Sequence, residues 1–178
     1  MSPRITLLLV AVLLVTSVAD STAQDFDDRS ATARVMTVLS VTATQDLNFG
    51  KIFGGVPKVM GNDDDDSSAV FSITGEASAG ISVQLTLPEY LSLADGSANM
   101  TIVFNNSCCS IDTIGTATPS TVVGGFVDID PRTSPSGVIV GSGGAANLFL
   151  GGKVLPSANQ KAGAYSGDIV LSVSYNGT

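Results

Sequence analysis

The stretch Gly163-Ala-Tyr165-Ser-Gly167-Asp168-Ile169-Val-Leu171-Ser-Val173-Ser-Tyr175-Asn-Gly-Thr178 decides the fold. From Ile169 to Tyr175 the odd positions are Ile, Leu, Val and Tyr, with Ser172 and Ser174 between them. A strand sends alternate side chains to opposite faces, so the segment has one apolar face and one largely polar face. Gly163 and Gly167 precede it, where a chain entering a strand from a turn uses glycine's freedom. The reading is a half-buried β-strand, and such a strand needs a pairing partner.

The same alternation recurs upstream. Ala69, Phe71 and Ile73 share a face, as do Ile81, Val83, Leu85 and Leu87, and then Met100, Ile102 and Phe104. Fainter runs cover Thr121 to Ile129, Gly137 to Val140 and Ala146 to Leu155, and Leu47 to Phe53 reads as a short strand before Gly54-Gly55. Turn signals such as Asp130-Pro131, Ser134-Pro135 and Gly141-Ser-Gly-Gly144 separate the runs. Outside the first residues, no segment longer than about ten residues keeps a 3.6-residue period. Many short strands with frequent turns predict an all-β antiparallel sandwich. Its expected core is Phe49, Phe71, Ile73, Ile81, Val83, Leu85, Ile102, Phe104, Leu148, Leu150, Ile169, Leu171 and Val173.

Residues 1–23 read as a signal peptide. Arg4 gives the positive start, Ile5 to Val15 is apolar, and Ser21-Thr22-Ala23 offers a cleavage site, with Ser17-Val18-Ala19 as an alternative. The apolar run is short for a membrane span. An exported protein follows, in the periplasm, at the cell surface or beyond, with residues 24–178 as one domain. Arg4 and Asp20 cancel within the leader, so the formal charge of −8 belongs to the remainder. That sign argues against nucleic acid and anionic membrane surfaces as partners.

Ala31 to Thr44 is a β-favouring run longer than a typical strand. Either one strand bends across two sheets, or two functions lie end to end: an extended segment over 24–38 and a first strand from Leu39. Val41-Thr-Ala-Thr44-Gln-Asp46-Leu47-Asn-Phe49-Gly50, Phe71-Ser-Ile-Thr74-Gly75 and Ala162-Gly163-Ala-Tyr165-Ser-Gly167 together resemble a bacterial secreted family of unknown function. More broadly, the Leu-x-Phe-Gly element resembles pilin-like sandwiches, including chaperone–usher and spore-coat-U-type subunits. Chaperone–usher pilins carry a glycine twelve residues before a near-terminal tyrosine, and Gly163 and Tyr175 have that spacing. Here three residues follow the tyrosine.

The resemblance implies an immunoglobulin-like, pilin-like sandwich that lacks one strand and takes an extended segment from a neighbour by β-augmentation. It also implies a periplasmic chaperone, because an uncovered apolar groove aggregates. On this reading Ala31, Ala33 and Val35 enter the neighbour's groove, flanked by Gly163, Ile169, Leu171, Val173 and Tyr175. The competing reading makes the run an ordinary bent first strand of a complete sandwich.

Residue chemistry narrows the function further. The chain has no histidine and no tryptophan, which removes the commonest general base, the His-dependent triads and His-ligated metals, and leaves little for sugar stacking. Asp128 and Asp130, at alternate positions, read as solvent-facing strand charges rather than a glycosidase pair. Asp63, Asp64, Asp65 and Asp66 beside Gly61-Asn62 read as a solvated loop tip, with calcium as the minority reading because the spacing is not that of an EF-hand. Cys108-Cys109 leaves three options open: a pair between subunits, a strained vicinal ring, or two thiols. No cofactor is expected. The expected function is a non-enzymatic secreted structural or interaction subunit, with other subunits, itself included, as partners. The alternative is a monomeric exported binding module for a glycan or a surface protein, with calcium as an optional stabiliser.

Overall fold

A computed structural model describes residues 33–122 and 125–177. The expected leader over 1–23, the first part of the expected extended segment, Ala31, and Val123-Gly124 within the Thr121 to Ile129 run lie outside the described residues.

Short alternating segments become strands because each has one face to bury. Among the described residues they are β1 (Ser40–Gln45), β2 (Lys58–Met60), β3 (Ala69–Thr74), β4 (Gly80–Thr86), β5 (Tyr90–Leu93), β6 (Asn99–Val103) and β7 (Cys109–Asp112). The second half contributes β8 (Gly125–Ile129), β9 (Val138–Ile139), β10 (Ala145–Leu150), β11 (Gly152–Leu155), β12 (Tyr165–Ser166) and β13 (Val170–Tyr175). The only helical element described is the 3-10 turn Pro119–Thr121. All pairings are antiparallel. The protein is an all-β sandwich, as the alternation predicts.

One layer is the sheet β1-β3-β10-β7-β8. The other is formed by β12-β5-β6-β11-β2 and β13-β4-β9. These two sheets share a ribbon: β4 and β5 follow one another, β12 and β13 do too, and the pairs run antiparallel in nearly continuous register. Tyr175 lies opposite Ile81, Val170 opposite Thr86, and Tyr165 opposite Leu93. Pairing breaks between, where Pro88 lies on one strand and Gly167 on the other, because Pro88 has no N–H to give. Gly167 fits there because a Cβ would lie 3.0 Å from the Tyr90 carbonyl oxygen and 3.1 Å from Leu91 Cδ2.

Phe49, Phe71, Ile73, Ile81, Val83, Ile102, Phe104, Leu148 and Leu150 are buried in one cluster, and Leu85, Ile169, Leu171 and Val173 pack against it half-buried. Each such side chain contributes roughly 1.5–3 kcal/mol when fully removed from water. The expected core is therefore the observed one, joined by Val138, Val140 and Val154.

Two sequence expectations, at Leu47 to Phe53 and at Ala146 to Leu155, are corrected, and the extent of the first strand is observed. Leu47 to Phe53 is not a strand: Asn48 Oδ1 accepts the Gly50 N–H at 2.8 Å and Gly50 takes φ +58°, so the chain turns there while Phe49 stays buried. Among the described residues of the long first run only Ser40–Gln45 is sheet; residues 33–39 precede it outside any strand, with Val35 96% and Val38 84% exposed. Ala146 to Leu155 is two strands in different layers, broken at Gly151, where a Cβ would lie 2.4 Å from the Met60 carbonyl oxygen.

Candidate functional site: an open side between two edge strands

Each layer ends in an edge strand on the same side of the sandwich. Among the described residues β1 pairs with β3 alone, and the β12–β13 strand pairs only with β5 and β4. Their outer N–H and C=O rows have no ladder partner among the described residues, and such rows are templates for another strand. Between them lies a cavity of about 750 Å³ that reaches the core.

One rim runs from Ala43 through Gln45 and Asp46 to Gly50, and the other from Gly163 to Val170. The floor is Phe49, Ile52, Phe71, Leu91, Met100, Ile102 and Val154. Ala43 shows why this side counts as open. It lies two positions beyond the half-buried Val41 on the same face of β1, yet it is exposed. Val170, at the start of β13, is 50% exposed. The rims carry the exposed acids Asp46 and Asp168.

The second rim is held from below. Gln160 Nε2 donates to the Asn99 carbonyl at 3.0 Å and to Tyr165 Oη at 2.7 Å, and Tyr165 Oη donates to the Lys161 carbonyl at 2.8 Å. Gly163 has φ +154°, and a Cβ there would lie 2.6 Å from Leu93 Cδ2.

Of the residues expected to flank a donated strand, Gly163 and Ile169 line the groove. Leu171 and Val173 do not; they pack on the core cluster where β13 runs beside β1. Tyr175 sits beyond the groove's end. Its Oη donates to the Thr37 carbonyl at 2.7 Å and accepts the Glu76 N–H at 2.6 Å. Ala33 and Val35 are exposed, and Ala31 lies outside the described residues.

The acidic run disperses. Asp65 turns to the 3-10 turn, accepting Ser120 N–H at 2.9 Å and Ser120 Oγ–H at 2.7 Å, and the Ser120 hydroxyl in particular holds its carboxyl below the usual range. Asp64 Oδ1 accepts Asp66 N–H at 3.1 Å, and Asp63 Oδ1 lies against Gly61. Among the described residues no three acids or cysteines converge as metal ligands. Nor do Asp128 and Asp130 share a strand face in regular alternation: a bulge opposite Cys109–Ile111 puts Asp128 at φ +53°.

Cys108 and Cys109 are free thiols and both are buried. Burial pushes their pKa values up to about 11 and about 12. Neither can meet a cysteine of another subunit without opening this region.

Two features escaped the sequence. Asp112 is fully buried and accepts four backbone N–H groups, from Ile114 (3.0 Å), Gly115 (2.7 Å), Thr116 (3.0 Å) and Ala117 (3.0 Å). Asn62, also buried, donates to Ser110 Oγ at 2.6 Å and to Asp128 Oδ1 at 3.2 Å. No protein-family model and no curated protein matches this chain.

Proposed function

We propose that this chain is an exported, non-enzymatic structural or interaction subunit whose open side accepts an extended segment of another protein chain. The observation that carries the reading is the groove with an apolar floor between two edge strands whose backbones have no ladder partner among the described residues. An extended peptide gains main-chain hydrogen bonds at such edges and places alternate side chains in the floor. The first candidate occupant is the N-terminal segment of a second copy. Ala31, Ala33 and Val35 are small and apolar at alternate positions, and the same segment carries arginine, opposite in sign to Asp46 and Asp168 on the rims. A periplasmic chaperone would cover the groove before assembly.

The test is deletion of Asp25 to Val35. Assembly should be lost while the melting transition of the domain stays in place. Val35→Asp should act similarly, since a charge entering an apolar pocket costs several kcal/mol. A lowered melting temperature with unchanged oligomeric state contradicts the reading and favours a monomeric binding module.

A further inference from the structure

Among the described residues the facing edges of β1 and β13 have no ladder partner, so no sheet hydrogen bonding between the two strands is described. At the Gln45 and Asp168 end they stand apart, and the groove opens there. At the other end they are tied. Besides its two hydrogen bonds through Tyr175 Oη, this end has Thr37 N–H and Thr37 Oγ1–H donating to Glu76 Oε2 at 3.0 and 2.7 Å. The tyrosine ring fits because residue 75 is glycine. A Cβ on Gly75 would lie 2.7 Å from Tyr175 Oη and 2.8 Å from Leu39 Cδ1. Three distant pieces of chain thus meet: the lead into β1, the turn after β3, and the end of β13.

We infer that Tyr175, Thr37 and Glu76 form a latch that shuts one end of the groove and limits how far an incoming strand travels between β1 and β13. The inference rests on the acceptor reading above. A strand seated between two others needs about 4.8 Å on each side, so its neighbours must stand nearly twice as far apart as paired strands. A bridge made through one tyrosine hydroxyl opposes that separation. With the latch closed, an occupant enters from the Gln45 and Asp168 end and stops short of Leu39. With the latch open, Leu39 and Val41 on one side and Leu171 and Val173 on the other become available to it. Tyr175 is then a positioning residue that acts through Thr37 and the Glu76 amide.

The test compares the purified protein with Tyr175→Phe, which keeps the ring, and Thr37→Val, which lies in an exposed segment and cannot disturb the core. The probe is a fluorescent peptide copying residues 25–38. Backbone amide exchange at Glu76 should rise about tenfold in Tyr175→Phe, the factor expected for losing one or two ordinary hydrogen bonds. The peptide should bind Tyr175→Phe several-fold faster and add amide protection at the β13 amides of Leu171–Tyr175 that point away from β4, whereas in the unaltered protein the protection added by the peptide stops near Val170. Thr37→Val should fall between. Equal peptide kinetics and equal protected residues in all three overturn the latch, even if Tyr175→Phe melts lower. Absence of peptide binding in all three removes the acceptor reading and the gate with it. Unchanged exchange at Glu76 overturns the latch alone.

Discussion

Replacing Asp112 by Asn keeps the shape of a fully buried side chain and changes only what it accepts. In the native protein Oδ2 takes the N–H groups of Gly115, Thr116 and Ala117, and Oδ1 takes that of Ile114. An amide has one oxygen. Placed at the Oδ2 position it retains three acceptor contacts, all weakened by loss of charge, and sets an NH₂ donor against the Ile114 N–H. Placed the other way it forfeits three. The first arrangement is the less costly. Losing one charge-assisted hydrogen bond costs about 1.5–3 kcal/mol. With the weakening of the other three, the total is about 2–4 kcal/mol. For a domain near this size each kcal/mol moves Tm by about 2–4 °C, so the melt should fall by roughly 4–16 °C. Circular dichroism gives the melt, and amide exchange should rise first at residues 114–117. A Tm drop below about 2 °C, with those amides still protected, would refute the view that this carboxylate organises the loop.

Other outcomes follow from the same geometry. Cys108 and Cys109 should resist a thiol reagent at pH 8 in the native protein and react on unfolding; prompt reaction of the folded protein contradicts their burial. Their folded pKa values, about 11 and about 12, lie above the ordinary thiol value, so their contribution to stability is full below about pH 9. It is lost as pH climbs through the folded values, and a Tm that holds steady from pH 9 to 12 contradicts this. Asp65 has the opposite sign: its carboxyl is held low, so its docking on Ser120 persists above the usual carboxylate range and is lost only in stronger acid. Calcium should leave Tm unchanged, because Asp65 docks on Ser120 and Asp64 accepts the Asp66 N–H, so the four carboxylates do not converge; a rise of many degrees at micromolar calcium, abolished by Asp64→Asn with Asp66→Asn, contradicts that.

Alternation made most of the sandwich legible. Phe71 and Ile73, or Ile81 and Val83, are buried on one face with an exposed or half-buried residue between, and a period of two is enough to find them. β7 was not legible because all four of its residues, Cys109 to Asp112, are buried, so polarity and burial part company. Asp112 and Ser110 look like surface residues in sequence, and only the loop folded over them and the bulge at Asp128 remove them from water. The break at Gly151 was hidden because both strands around it are apolar. At the candidate site, the last strand and its leading glycines were readable, and so was the excess length of the first run. The groove itself was not, because an open side is defined by where two edge strands stop pairing, and no local pattern encodes that. Tyr175 was singled out by its spacing from Gly163, whereas its hydroxyl's partners, at Thr37 and Glu76, lie far away in sequence.

The most direct test of the acceptor reading follows methyl resonances of the purified protein while an unlabelled peptide copying residues 25–38 is added. Ile52, Met100, Ile102 and Ile169 line the groove and should shift together with one saturating curve, while Val138 and Val140, buried away from it, stay fixed. Shifts confined to the outer face at Val59, Val103 and Leu155, or no shifts at any peptide concentration in a protein that remains monomeric, would contradict it.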